Sequence, residues 1–149
     1  MNQVIDLKRL YEIDDYQWLE ETVNLLKKHR FEDLDLDNLI EELEDLGREK
    51  KNAVASLLEQ VIRHLLLLQY WKSESEYNAV HWQEEIYNFR IQLKRKITTN
   101  LRNYLESELD SIYKDALGFL KIKTQNSVSL PSECPYSLEQ LLDIEWLPY

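Results

Sequence analysis

The spacing of apolar residues along the chain predicts five helical segments. In each segment apolar residues recur at intervals of three and four, which places them on one face of a helix. The predicted segments run from about Asp15 to His29, Asn38 to Trp71, Ala79 to Ile97, Leu101 to Lys121, and from Ser137 towards the C-terminus. Beyond Leu65 the second segment is apolar all round, which predicts burial by several neighbours.

Polar residues at the segment boundaries support these limits. Asp37 is suited to cap the second helix. Ser137, with Gln140 three residues later, fits a capping box at the start of the last helix. Residues 98–100, the sequence "TTN", are typical of a break between the third and fourth helices, and residues 124–136 are expected to form a loop.

Four long amphipathic helices with short connections predict an all-α fold. We expect an antiparallel four-helix bundle with a very long second helix and a short C-terminal helix. The chain has 149 residues, a length typical of one domain. We therefore expect one helical-bundle domain over residues 1–149, in which residues 124–149 form a C-terminal loop and a short docking helix.

Composition narrows the classes of function. The chain has only two glycines, so a P-loop and a Gly-x-Ser-x-Gly nucleophile motif cannot occur. The net charge is −10, which disfavours nucleic-acid and membrane partners. The charge is uneven, however. Residues 90–102 hold five basic residues and no acid, whereas residues 32–49 hold nine acids against Arg48 alone. Nucleic acid is expected to bind only through the basic segment 90–102.

Cysteine usage and the N-terminal sequence predict a cytoplasmic protein. Cys134 is the only cysteine, which excludes an intrachain disulfide and disfavours a thiolate metal site. The first residues contain no uninterrupted apolar stretch of the kind found in signal peptides. The apolar run Leu65–Leu68 is too short to span a bilayer.

Several sequence blocks resemble a known bacterial family. They are "DYQWLEETVNLLKKHRFEDLDLDNLIEELEDLGREKKNAV", "RHLLLLQYW", the later Trp82, Ile86 and Arg90, and "ECPYSLEQLLDIEWLP". In this order they are similar to the domain of unknown function 29 family, common in cyanobacteria, from about Tyr11 to Pro148. The resemblance implies an all-α bundle. It implies no activity and no catalytic residues, since the family's biochemical role is not established.

His64 is the first candidate for chemistry. It shares an apolar stripe with Leu57, Leu68 and Trp71. It could be a metal ligand or general base, but we favour a structural histidine bonded to a tyrosine or glutamine of a facing helix. The chain has three histidines, and no Glu-x-x-His or His-x-x-x-His pair occurs. We therefore predict no metal and no cofactor.

A second group of polar residues lies where the second predicted helix ends and the third begins. Arg90 borders an apolar stripe, so it needs a carboxylate, such as Glu59 or Glu85, or an anionic ligand. We favour a buried ion pair with aromatic packing. The alternative is a catalytic group in which Arg90 stabilises negative charge and His64 moves protons beside Tyr70. The candidate binding residues are Gln69, Trp71, Trp82, Lys94 and Arg95.

These observations favour a binding or accessory protein that acts through protein–protein interaction. The partner is an unknown protein or a second copy in a homodimer. The alternative is a small nuclease or another phosphodiester hydrolase that uses His64, Tyr70 and Arg90. The sequence leaves open whether the protein is an enzyme.

Overall fold

A computed structural model describes residues 6–149, and these residues form helices joined by turns and, between residues 124 and 137, by a longer loop, with no strand. The α-helices are α1 (Leu7–Ile13), α2 (Asp15–Lys27), α3 (Leu36–Tyr70), α4 (Lys72–Lys96), α5 (Thr99–Lys123) and α6 (Leu138–Leu142), with a 3-10 turn at Phe31–Asp33. The all-α prediction is confirmed. Within the described part of the chain, no helix has an apolar stretch long enough to cross a membrane.

The spacing of apolar residues did not predict two of the helical stretches. Helix α1 has only seven residues, too few for an apolar repeat to show, and it is capped by the Asp6 carboxylate, which accepts from the Arg9 N–H at 3.3 Å. Helix α4 begins at Lys72 rather than Ala79. The added turns, "KSESEYN", are polar and mostly exposed, so no apolar stripe marks them.

The expected cap of the long helix was wrong by two residues. Helix α3 begins at Leu36, so Asp37 lies within its first turn and Asp35 precedes the helix. The buried second half of α3 is confirmed, since Ile62 and Leu65–Leu68 are all at most 4% exposed.

The chain divides into two compact units, one ending at Glu49 and one from Lys50 to Tyr149, and α3 contributes residues to both. The core of the second unit combines leucines and branched residues of α3, α4 and α5 with the C-terminal residues Tyr136, Leu138 and Leu141. The extent of a single domain over the whole chain stays a prediction.

The first unit is organised around Trp18 of α2, which is 1% exposed. Tyr11 of α1 packs edge-on against it, with ring centroids 5.0 Å apart. The indole Nε1–H donates to Oδ2 of Asp35 at 3.3 Å, and the same oxygen accepts from Nδ2 of Asn38 at 2.6 Å. The buried Asp35 carboxylate therefore ties α2 to the start of α3.

Replacing Asp35 by alanine is expected to destabilise the protein by about 1–3 kcal/mol, because the buried indole N–H of Trp18 loses its acceptor. The free energy of unfolding from urea titration measures this. Asp33→Ala is the matched control, since Asp33 is exposed and pairs only with Arg30 at the surface. Its effect is expected to stay within about 0.5 kcal/mol. Equal effects of the two variants would contradict the role given to Asp35.

Candidate functional site

The C-terminal segment, residues 130–147, is held by polar side chains from each of the three long helices. Gln69 belongs to α3, Arg90 to α4 and Tyr113 to α5. Each of them makes a hydrogen bond to this segment. Two of the polar residues that the sequence suggested for a ligand site, Gln69 and Arg90, therefore bind the chain itself.

Arg90 makes the largest number of these bonds. Its side chain is 2% exposed, and its Nε–H donates to the Leu141 carbonyl at 2.9 Å. Nη1 donates to the Trp146 carbonyl at 2.6 Å and Nη2 to the Gln140 carbonyl at 3.0 Å. Carbonyls in the last turn of a helix lack intrahelical donors, and the planar guanidinium can serve several of them at once.

Arg90 remains charged in this position. Burial lowers the pKa of Arg90 to about 10, and the negative charge of Asp143 acts in the opposite direction. The expected ion pair with Glu59 or Glu85 is wrong. Glu59 pairs with Arg63 instead, and backbone carbonyls satisfy Arg90.

Helix α6 positions the Gln140 and Leu141 carbonyls for Arg90, and hydrogen bonds cap the start of this helix. The predicted capping box is confirmed. The Gln140 N–H donates to Oγ of Ser137 at 3.2 Å, and the Ser137 N–H donates to Oε1 of Gln140 at 2.9 Å. Leu138 and Leu141 then point into the core, where they are 2% and 0% exposed.

Two tyrosine hydroxyls complete the attachment. Tyr136 donates to Oε1 of Gln69 at 2.7 Å, and its ring packs edge-on against Trp146. Tyr113 donates to the Pro131 carbonyl at 2.5 Å. Burial raises the pKa of Tyr113 to about 12, and it raises the pKa of Tyr136 far above its ordinary value. Both hydroxyls therefore keep their protons and remain donors at neutral pH.

His64 is half-buried and bonds within its own helix. Its Nδ1 lies 2.7 Å from the Gln60 carbonyl, and its ring packs against Phe89 at a centroid distance of 5.5 Å. Burial lowers the pKa of His64, so the neutral ring donates from Nδ1. The expected tyrosine or glutamine side-chain partner on a facing helix is replaced by a backbone carbonyl.

The other candidates take separate positions. Trp71 and Trp82 stack on each other, with centroids 6.3 Å apart and planes 14° apart. Tyr70 is half-buried, near enough to Tyr113 and Tyr136 to influence their ionisation. Among the described residues no hydrogen bond joins His64, Tyr70 and Arg90. Their catalytic roles stay a prediction.

A basic cavity of about 440 Å³ lies at the corner between α4 and α5. It is lined by Arg90, Lys94, Ile97, Thr98, Thr99, Arg102 and Leu142. Lys94 was a predicted binding residue, whereas the equally predicted Arg95 does not line the cavity. Arg102 was missed, although the spacings Arg90 to Lys94 and Thr98 to Arg102 are each one helical turn on either side of the break. No group of three histidine, cysteine or acidic side chains within residues 6–149 is placed to hold a metal ion.

The first unit carries an exposed apolar surface on α2, which we call the α2 face. It consists of Tyr16, Leu19, Val23 and Leu26, which are 67%, 48%, 40% and 39% exposed. Their spacing places them on one side of the helix. The α2 residues that are buried are Trp18 and Thr22.

Arg90→Lys is expected to destabilise the protein by about 2 kcal/mol or more, because one ammonium group cannot reach three carbonyls in the geometry of the guanidinium fork. The measurement is the urea midpoint together with the rate of limited proteolysis within residues 130–147, which should rise as the segment detaches.

Arg95→Lys is the matched control for this prediction. Arg95 lies one turn further along α4, is exposed, and takes no part in holding the C-terminal segment. Its effect should stay within about 0.5 kcal/mol. If Arg90→Lys behaved like Arg95→Lys in both measurements, the attachment of the segment through Arg90 would be refuted.

Comparison with known proteins identifies the family of this chain. No curated protein and no solved structure matches the chain. A family model described as domain of unknown function DUF29 matches residues 10–147, nearly the whole chain. This range includes both the α2 face and the C-terminal segment with its partners Gln69, Arg90 and Tyr113. The chain belongs to the DUF29 family.

Proposed function

We propose that the protein is a binding or accessory protein whose α2 face receives a basic amphipathic helix of a partner protein. The observation that carries the proposal is the coincidence of an exposed apolar face with strong negative charge. Residues 6–49 contain fifteen acidic and six basic side chains, so they hold nine of the ten net negative charges of the chain. Residues 50–149 are nearly neutral.

The α2 face has the form of a helix-docking surface. A shallow cavity of about 370 Å³ lies along it, bounded among the described residues by Tyr16, Leu19, Val23 and the polar Glu20, Asn24 and Lys27. Docked helices place apolar anchors one turn apart, which suits the Tyr16, Leu19 and Val23 spacing. Burial of leucine and valine side chains would supply the affinity.

The rim of the α2 face selects the charge of the partner. Asp15 and Glu20 flank the face along α2, against Lys27 at its C-terminal end, and the first unit as a whole is strongly acidic. A lysine- or arginine-rich helix would be attracted during encounter, and an acidic one would be repelled. This argument favours a basic partner over a second copy of this chain, since a second α2 face would bring the same negative rim.

The nuclease alternative gains no specific support. The donors that it would need on Arg90 are bonded to backbone carbonyls, and the His64 imidazole is bonded to its own helix. For a binding protein we keep the expectation of a cytoplasmic location, which rests on the single cysteine.

The test uses the full chain and a model helical peptide of about two heptads built from leucine and lysine. A peptide of the same pattern, with glutamate in place of lysine, is the control for charge. Fluorescence anisotropy of the labelled peptides measures affinity. We expect the lysine peptide to bind and the glutamate peptide not to bind. Leu19→Gln and Val23→Gln should each weaken binding by about tenfold, because each removes an apolar anchor.

Ile122→Gln is the matched control, since Ile122 is 81% exposed but lies in the second unit. It should leave affinity unchanged within about twofold. Equal binding of both peptides would refute the proposal, and so would an equal loss in all three variants. A dimer in sedimentation velocity that Leu19→Gln dissociates would replace the basic partner with a second copy.

A further inference from the structure

The basic cavity at the corner between α4 and α5 is not explained by a helix-binding function of the first unit. Its lining residues all lie in the second unit. Three of them are cationic, namely Arg90, Lys94 and Arg102, and none is acidic. We propose that this cavity binds a small phosphorylated ligand, with Lys94 and Arg102 holding its phosphate group.

The cations of the cavity are available for a ligand. Neither Lys94 nor Arg102 forms an ion pair with any carboxylate among residues 6–149. Both side chains belong to exposed residues, so they reach solvent. Arg90 contributes positive charge from the wall, while its bonded donors remain with the C-terminal carbonyls. The negative charge that raises the pKa of Arg90 against the effect of burial belongs to Asp143, whose carboxylate accepts the N–H of Glu145 at 3.0 Å.

The start of α5 adds backbone donors to the same cavity. Thr98 caps this 25-residue helix, and its Oγ1 accepts from the Leu101 N–H at 3.2 Å. The first N–H groups of a helix have no intrahelical acceptors, and the helix dipole places positive potential there. Thr98 and Thr99 both line the cavity, so the start of α5 and the two cations face the same cavity.

The size and walls of the cavity indicate the class of ligand. A volume of about 440 Å³ lies within the usual range for small-molecule sites. Ile97 and Leu142 supply apolar wall on which a base or ring could rest. A single-stranded nucleic acid would need a groove that follows several nucleotides, whereas here the cations converge on one cavity. The arrangement therefore fits a nucleotide-sized anion better than a polymer.

The C-terminal segment forms part of this site. Leu142 lines the cavity and follows Leu141, whose carbonyl Arg90 holds. The attachment that closes the core of the second unit thus also positions one wall of the cavity.

Isothermal titration calorimetry of the full chain with ADP, inorganic phosphate and adenosine tests the proposal. We expect ADP to bind, phosphate to bind more weakly, and adenosine not to bind, because recognition rests on the phosphate. Lys94→Gln and Arg102→Gln should each weaken ADP binding by about tenfold, the value of one charge-assisted contact. Raising the salt concentration should also weaken it.

Lys96→Gln provides the matched control, because it removes the same charge from the end of α4 without touching the cavity. It should change affinity by less than about twofold. The proposal is overturned if neither ADP nor phosphate binds, or if Lys96→Gln weakens binding as much as Lys94→Gln. It is also overturned if a single-stranded RNA oligomer binds through Lys94 and Arg102 while ADP does not. The variants of the α2 face leave this cavity intact, so the two proposals fail independently.

Discussion

The structure of the second unit depends on the buried guanidinium of Arg90, which needs hydrogen-bond acceptors. Removing the Arg90 charge from water is costly unless it is fully hydrogen-bonded, and no carboxylate of residues 6–149 pairs with it. The last carbonyls of α6 have the complementary need, since a helix end leaves its acceptors without donors. Each group satisfies the other, and the Trp146 carbonyl takes the third bond. The C-terminal segment is therefore part of the core, and Gln69 and Tyr113 anchor it at two further points.

The two units differ in charge, and this difference underlies the functional proposals. The first unit holds nearly all the net negative charge and exposes the α2 face. The second unit is nearly neutral and gathers Lys94 and Arg102 at one cavity. The net charge of the whole chain, taken alone, would suggest that its entire surface repels anions. The local distribution instead supports both proposals, a surface for a basic helix in one unit and a site for a small anion in the other.

Sequence reasoning predicted features that depend on neighbouring residues. The capping box at Ser137 and the buried end of α3 both follow from local patterns, and both are confirmed. Helix α1 was missed because seven residues carry too little periodicity. The partners of Arg90 could not be predicted, because every residue has a backbone carbonyl and the sequence does not show which carbonyls accept a bond. Glutamates were therefore expected instead. The α2 face shows a further limit: an amphipathic pattern identifies an apolar surface but does not say whether the same chain covers it.

The hydrogen bonds of Arg90 can be observed directly by NMR on uniformly ¹³C,¹⁵N-labelled protein. The account predicts an Arg90 Nε–H that exchanges slowly with water at neutral pH, and a through-bond correlation from this nitrogen to the Leu141 carbonyl carbon. The exposed Arg95 and Arg102 in the same sample provide the reference for fast exchange. An Arg90 Nε–H that exchanges as fast as those of Arg95 and Arg102, with no correlation to Leu141, would contradict the account.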